Sequence, residues 1–266
     1  MPKVTFRSLI SRLGKEARRL GAAVGRGFGR SRSEPARPVA AAPRADIGLE
    51  RLYPGLPDGV LKAAVEDSLT GVTPSEHSLT RFSMYAALSD RLAAHDGLTK
   101  KCLSISGSSR IARVMGLKAA KIVEAAYPEH SMLALGFADA AFDFCVSDQV
   151  LEHVEGDPFE AVRESFRVVA PGGFVVHASC LLNPVHREPG DFWRFTPDAL
   201  ALLCRTAGGT VIEAASWGNR EALALTQVGI RMQKVPADPQ HPLHKIAVAN
   251  DPNWPIHTWV VARKPG

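Results

Sequence analysis

The sequence lacks the features that mark several large protein classes. It has no uncharged apolar run near the ~18 residues that a membrane-spanning helix needs, which excludes a transmembrane reading. Only four cysteines occur, Cys102, Cys145, Cys180 and Cys204, and no two form a C-x-x-C pair. Neither a zinc-finger arrangement nor a disulfide framework is expected, and a reducing compartment is the default. There is no G-x-S-x-G elbow and no Walker-type loop, which sets aside α/β-hydrolase and P-loop chemistry. No set of His, Asp and Glu shows metal-ligand spacing, so no metal is expected. No internal repeat is visible.

What remains is an ordinary globular composition. Hydrophobic residues make up 45% and charged residues 22% of 266 residues, enough for one mid-sized domain with appendages. Charge is distributed unevenly. Of the formal +5, residues 1–46 alone hold +8, from eleven Lys or Arg against Glu16, Glu34 and Asp46, so the rest of the chain carries −3. The basic character belongs to this tail, and the body has no aromatic-basic patch, so nucleic acid is not an expected partner.

Within the tail, Phe6, Leu9, Ile10, Leu13, Ala17 and Leu20 recur at helical spacing with Arg and Lys between them. Such a segment, residues 1–33, suits an anionic membrane surface, with the stripe at the lipid boundary and the cations on headgroups. A dispensable tail is the equal alternative, and a mitochondrial transit peptide has similar composition. The segment lacks the continuous apolar h-region of a secretory signal. The expected location is cytoplasmic, peripheral to a membrane if the tail binds one. The stretch SRSEPARPVAAAPRA reads as a flexible linker, closing a first region at 1–46.

Residues 47–98 read as a helical cap, in which Phe82, Tyr85, Leu88 and Leu92 form one buried face. From residue 99 to 266 short apolar runs alternate with helical segments. KKCLSIS, AKIVEAAY, SMLALGF, FDFCVSDQV, FVVHASC, TVIEAASWG and HTWVVARKP are the candidate strands. SSRIARVMGL, PFEAVRESFRVVA and TPDALALLCRTAGG are the helices between them. The alternation predicts an α/β fold with a mostly parallel sheet covered on both faces, and a ligand at the carboxyl ends of its strands.

The run FADAAFDFCVSDQVLEHVEGDPFEAVRESFRVVAPGGFVVHAS resembles the central part of class I S-adenosylmethionine-dependent methyltransferases, in the subgroup marked by VLEHV and PGG. The resemblance extends from about Leu103 to Cys180 and continues through GDFWRFTPDAL. It implies a Rossmann-like seven-stranded sheet with an antiparallel last strand, and S-adenosylmethionine as cofactor. It also implies methyl transfer to a small-molecule or glycan-type acceptor.

The cofactor loop is degenerate against the family's E-x-G-x-G-x-G turn. Here Ser104 takes the acidic position, Ser106, Ser108 and Arg110 replace the three glycines, and Gly107 is shifted. At the end of the second strand Ala126 falls at the ribose-gripping acid, with Glu124 on the same strand face as a substitute. In the third segment Ser131 stands for Asp and Gly136 for Pro. Each lost hydrogen bond costs on the order of 1 kcal/mol, together roughly two orders of magnitude in affinity.

By the resemblance, Ser106, Gly107, Ser108, Glu124, Met132 and Asp148 line the cofactor site, Asp148 having a helix N-cap as its other reading. His153, after the fourth strand, is the leading general base, since imidazole is the side chain that titrates near neutrality. A pocket-shaping role competes with it. Asp191, Trp193 and Arg194, with Asn183 and His186 nearby, form a candidate acceptor wall, or else anchor a long loop through Phe192, Trp193 and Phe195. The non-enzymatic alternative is a pseudo-methyltransferase serving as a scaffold or partner-binding module.

Overall fold

The computed structural model describes residues 58–187 and 190–266. The amphipathic segment 1–33, the linker and the first part of the cap lie outside the described residues.

The cap contributes α1 (Asp58–Ser68), β1 (Pro74–Ser78) and α2 (Leu79–Leu88). Alternation then begins with β2 (Lys101–Ile105), α3 (Ser109–Val114), β3 (Lys121–Ala125), β4 (Phe142–Asp148), α4 (Pro158–Val168) and β5 (Val169–Cys180). It continues through α5 (Pro197–Thr206), β6 (Thr210–Trp217), α6 (Arg220–Gln227), β7 (Lys234–Pro236), α7 (Pro242–Val248) and β8 (His257–Arg263). Several helix starts are written in the sequence. Asp157 and Thr196 each precede a proline and accept a hydrogen bond from the backbone N–H two or three residues on. That relieves a donor the helix cannot satisfy, while the proline has none to lose.

Six strands form the main sheet in the order β3-β2-β4-β5-β8-β6. The first four are parallel, and β8 runs antiparallel between β5 and β6. Their apolar residues alternate between two cores, as the pleat demands. Phe144, Val146, Phe174, Val176, Trp259 and Val261 pack under α1, α2, α3, α6 and α7. Cys145, Val175, Val260 and Ala262 pack under α4 and α5. Burial on both faces accounts for the Val-rich, weakly alternating runs FVVHASC and WVVA. Full burial of one such side chain stabilises by roughly 1.5–3 kcal/mol.

The fold is α/β as expected, with two differences. The run SMLALGF is not a seventh strand. It forms one isolated bridge, Ser131 to Ala134, closed by a turn in which the Ala134 N–H donates to the Ser131 carbonyl at 3.0 Å. Gly136, at φ +73°, then bends the chain out of the extended region, and the His130 ring stacks on Phe137 at 4.8 Å. The cap is not wholly helical either, because β1 pairs antiparallel with β7 in a two-stranded sheet. Its helices share one hydrophobic core with the main sheet, Leu61, Val65, Met84 and Leu88 meeting Phe144 and Val176. Among the described residues no helix is long and apolar enough to cross a membrane.

Candidate active site

Strand order reverses between β2 and β4, since the chain steps outward to β3 and returns on the other side. Loops at that point diverge and leave a crevice at the carboxyl ends of the strands. The structure has a cavity of about 660 Å³ there. Its walls come from Ser106 after β2, Ala126 and Tyr127 after β3, and His130 to Leu133 in the bridge segment. Gln149 to Glu155 after β4, together with Gly190 and Phe192, complete it.

Two wall residues hold left-handed backbone without being glycine: Ser106 at φ +49° and Gln149 at φ +60°. A side chain in that region costs about 1–2 kcal/mol, and such strain concentrates at functional sites. The loop is over-determined from below. Gly107 follows at φ +81°, and its N–H donates to the Glu124 carboxylate. The Ser108 hydroxyl donates to the Ile105 carbonyl at 2.5 Å and accepts the Asp148 N–H at 2.8 Å, tying β2 to β4. Gln149 Nε2 is buried and has no partner among the described residues, a spare donor in a ligand-sized hollow.

Beside the cavity, at the tips of β4, β5 and β8, lies a dense polar cluster. Asp148 Oδ2 accepts from Tyr85 Oη at 2.6 Å and from Arg81 Nε at 3.2 Å. Burial opposes the charge on Arg81, yet Asp148 and Tyr85 hold its pKa above the ordinary value. Burial and Asp148 push the Tyr85 phenol up. His257 Nε2 lies 3.4 Å from Arg81 Nη1, and burial, then that arginine, hold its pKa well down. Further along, Asp191 is nearly fully buried and accepts both Nη atoms of Arg194 and the His186 N–H. Burial works against its charge, but Arg194 and that N–H keep its pKa below the usual carboxylate value. Glu152, fully buried, accepts from Ser179 Oγ at 2.8 Å, and burial raises its pKa.

Residues 85–177 match the family model of a methyltransferase domain. The matched segment runs from α2 into β5 and supplies every cavity wall except Gly190 and Phe192. An uncharacterized methyltransferase of Mycobacterium leprae is 47% identical over 51 residues, which are 19% of this chain and 19% of that protein. The chain thus matches about a fifth of that relative's length. Among solved structures, the 1,6-didemethyltoxoflavin-N1-methyltransferase of Burkholderia thailandensis is 14% identical, with 87% of this chain and 94% of that chain covered at a TM-score of 0.47. An S-adenosylmethionine-dependent methyltransferase of Mesorhizobium loti is 14% identical, with 70% and 100% covered at 0.43.

Within and beside the matched segment, the expected site residues fall into three groups. Ser106, Met132 and His153 stand in the cavity wall. His153 Nδ1 faces the Gly190 carbonyl and donates to it, which leaves Nε2 as the ring nitrogen not engaged by that carbonyl. Gly107, Ser108 and Glu124 hold the loop under the wall, through the contacts above. Asp148 turns away from the cavity to α2 and caps no helix, the short turn after β4 having Val150 at its cap. Of the acceptor-wall residues, Asp191 and Arg194 bind each other, and Trp193 donates its indole N–H to the Val154 carbonyl at 2.9 Å. Phe192, 47% exposed, is the aromatic that reaches the cavity. Sequence reasoning missed Arg81, Tyr85, Gln149, Glu152 and His257. The first two lie four apart on one helix face, a polar pair inside an apolar stripe, and that was the available signal.

Proposed function

We propose that the chain is an S-adenosylmethionine-dependent methyltransferase acting on a small-molecule or glycan-type acceptor, with the cofactor in the cavity at the strand tips. One observation carries the reading: the degenerate loop still shapes an open hollow of about 660 Å³, within the range of small-molecule sites. Ser106 adopts the left-handed conformation for which the family keeps a glycine. The match of residues 85–177 to a methyltransferase domain supports the choice of ligand.

Ser106, Gln149 and Met132 would hold the nucleoside and its tail, and the bound sulfonium would supply an electrophilic methyl group. In an in-line transfer the protein's tasks are to orient the acceptor and take up its proton. His153 is placed for the second, with Nε2 as the accepting atom, and Phe192 for the first. Calorimetric titration with S-adenosylmethionine and S-adenosylhomocysteine tests this. Saturable binding that Glu124→Ala weakens, by freeing the Gly107 loop, is the expected result. No heat at millimolar ligand would overturn the enzyme reading in favour of a scaffold.

A further inference from the structure

Glu152, Cys180 and His186 bring three metal-ligand atoms within 4.8 Å of one another. They come from three segments: the turn after β4, the last residue of β5, and the loop beyond it. Glu152 Oε2 is bonded to Ser179, but Oε1 is buried with no partner among the described residues. A buried carboxylate oxygen without a donor is costly unless a cation compensates it. Arg81 and Arg194 lie near enough to feel this carboxylate, yet each is hydrogen-bonded to another acid, Asp148 and Asp191. Glu152 is the acid of this cluster that no arginine is hydrogen-bonded to.

We propose that Glu152, Cys180 and His186 form a binding site for one divalent metal ion of the zinc class. Carboxylate, thiolate and imidazole are the donor set that zinc takes. Asp191 Oδ2 lies 3.4 Å from His186 Nδ1, and the Pro184 carbonyl lies 3.2 Å from it. Asn183 Nδ2 lies 3.2 Å from the same nitrogen, so the ring is held by its own loop at Nδ1, the kind of outer support that orients a metal-bound histidine. Zinc–ligand bonds of about 2.0–2.3 Å require the three atoms to draw in by about 1 Å. His186, half-buried on a loop, is the group able to move. A thiol binds a metal as its thiolate, so Cys180 releases its proton to solvent as the ion is taken up. Three protein ligands leave a fourth position for water or a ligand group. His153, itself in the cavity wall, meets the His186 ring edge-on at 4.8 Å, so the site lies against the cavity.

The site is independent of the methyl-transfer reading and is tested without turnover. The full-length, tag-free protein is titrated with Co(II), and zinc is then used to displace it. One ion per chain is expected, with a thiolate-to-cobalt charge-transfer band that Cys180→Ser abolishes, and His186→Ala lowers affinity at least ten-fold. Circular dichroism checks both variants. If Cys180→Ser does not fold, His186→Ala on the loop decides alone. No saturable binding, a band that survives Cys180→Ser, or unchanged affinity in His186→Ala overturns the site.

Discussion

The cavity at β2, β3 and β4 and the polar cluster at β4, β5 and β8 sit side by side but are built on opposite plans. The cavity is walled by Ser, Ala, Met, Leu and Gln, held open by strained backbone, and keeps a spare donor. The cluster is packed with Arg, Asp, Glu and His in close pairs, with Asp148 Oδ1, Glu152 Oε1 and His257 Nδ1 left buried without a partner among the described residues. One region has space and little charge, the other charge and little space. A large, largely neutral nucleoside suits the first. The second is rigid enough to fix loops and to hold small charged species. Breaking the two therefore has different signatures, in ligand affinity and in stability.

The largest effect is expected from Ala126→Trp. This exposed wall residue would project an indole into the hollow, and S-adenosylhomocysteine affinity should fall at least 100-fold in calorimetry with thermal stability kept. Binding within a factor of three of wild type would place the ligand elsewhere. Arg194→Ala attacks the other region, stranding the buried Asp191 carboxylate. We expect a loss of about 2–3 kcal/mol in urea unfolding, at the low end for a buried pair because the Arg194 side chain keeps 25% exposure. A loss below 0.5 kcal/mol would show that the pair is decorative.

An effect of comparable size depends on pH. Burial lowers the His177 pKa to about 4 from an ordinary 6.5, so the unfolded chain takes up a proton that the folded one refuses. Stability from this residue is complete above 6.5 and is lost as pH falls toward 4. That amounts to about 3 kcal/mol. His257, also lowered, adds in the same direction. Unfolding at pH 7, 5.5 and 4.5 should show this slope, and His177→Gln should flatten it; equal slopes would refute the assignment. Ser106→Gly gives the smallest change, a gain of about 1 kcal/mol from relieving left-handed backbone. Unchanged or reduced stability there would mean the strain is not borne at Ser106.

The sheet was legible because buried parallel strands and capped helices announce themselves in local pattern, as in FDFCVSDQV and the Asp-Pro and Thr-Pro helix starts. The third expected strand was not, since SMLALGF is an apolar run that Gly136 and the Ser131 turn fold otherwise. Asn219, not among the expected site residues, is a buried N-cap whose side chain also donates to the Ile246 and Ala249 carbonyls. The cavity was foreseeable from strand order. The neighbouring cluster was not, because Arg81, Asp148, Glu152, His186 and His257 are joined only by the tertiary fold, and no spacing records that.

The position of β8 bears on how the polypeptide matures on the ribosome. Of the described strands His257–Arg263 is the last in sequence, yet it occupies an interior lane, zipped to β5 on one side and β6 on the other. Until it emerges, the facing edges of β5 and β6 have no strand between them to pair with. Unpaired edges of that kind recruit foreign strands. A message truncated before codon 257 would therefore yield a sticky product rather than a shorter working one.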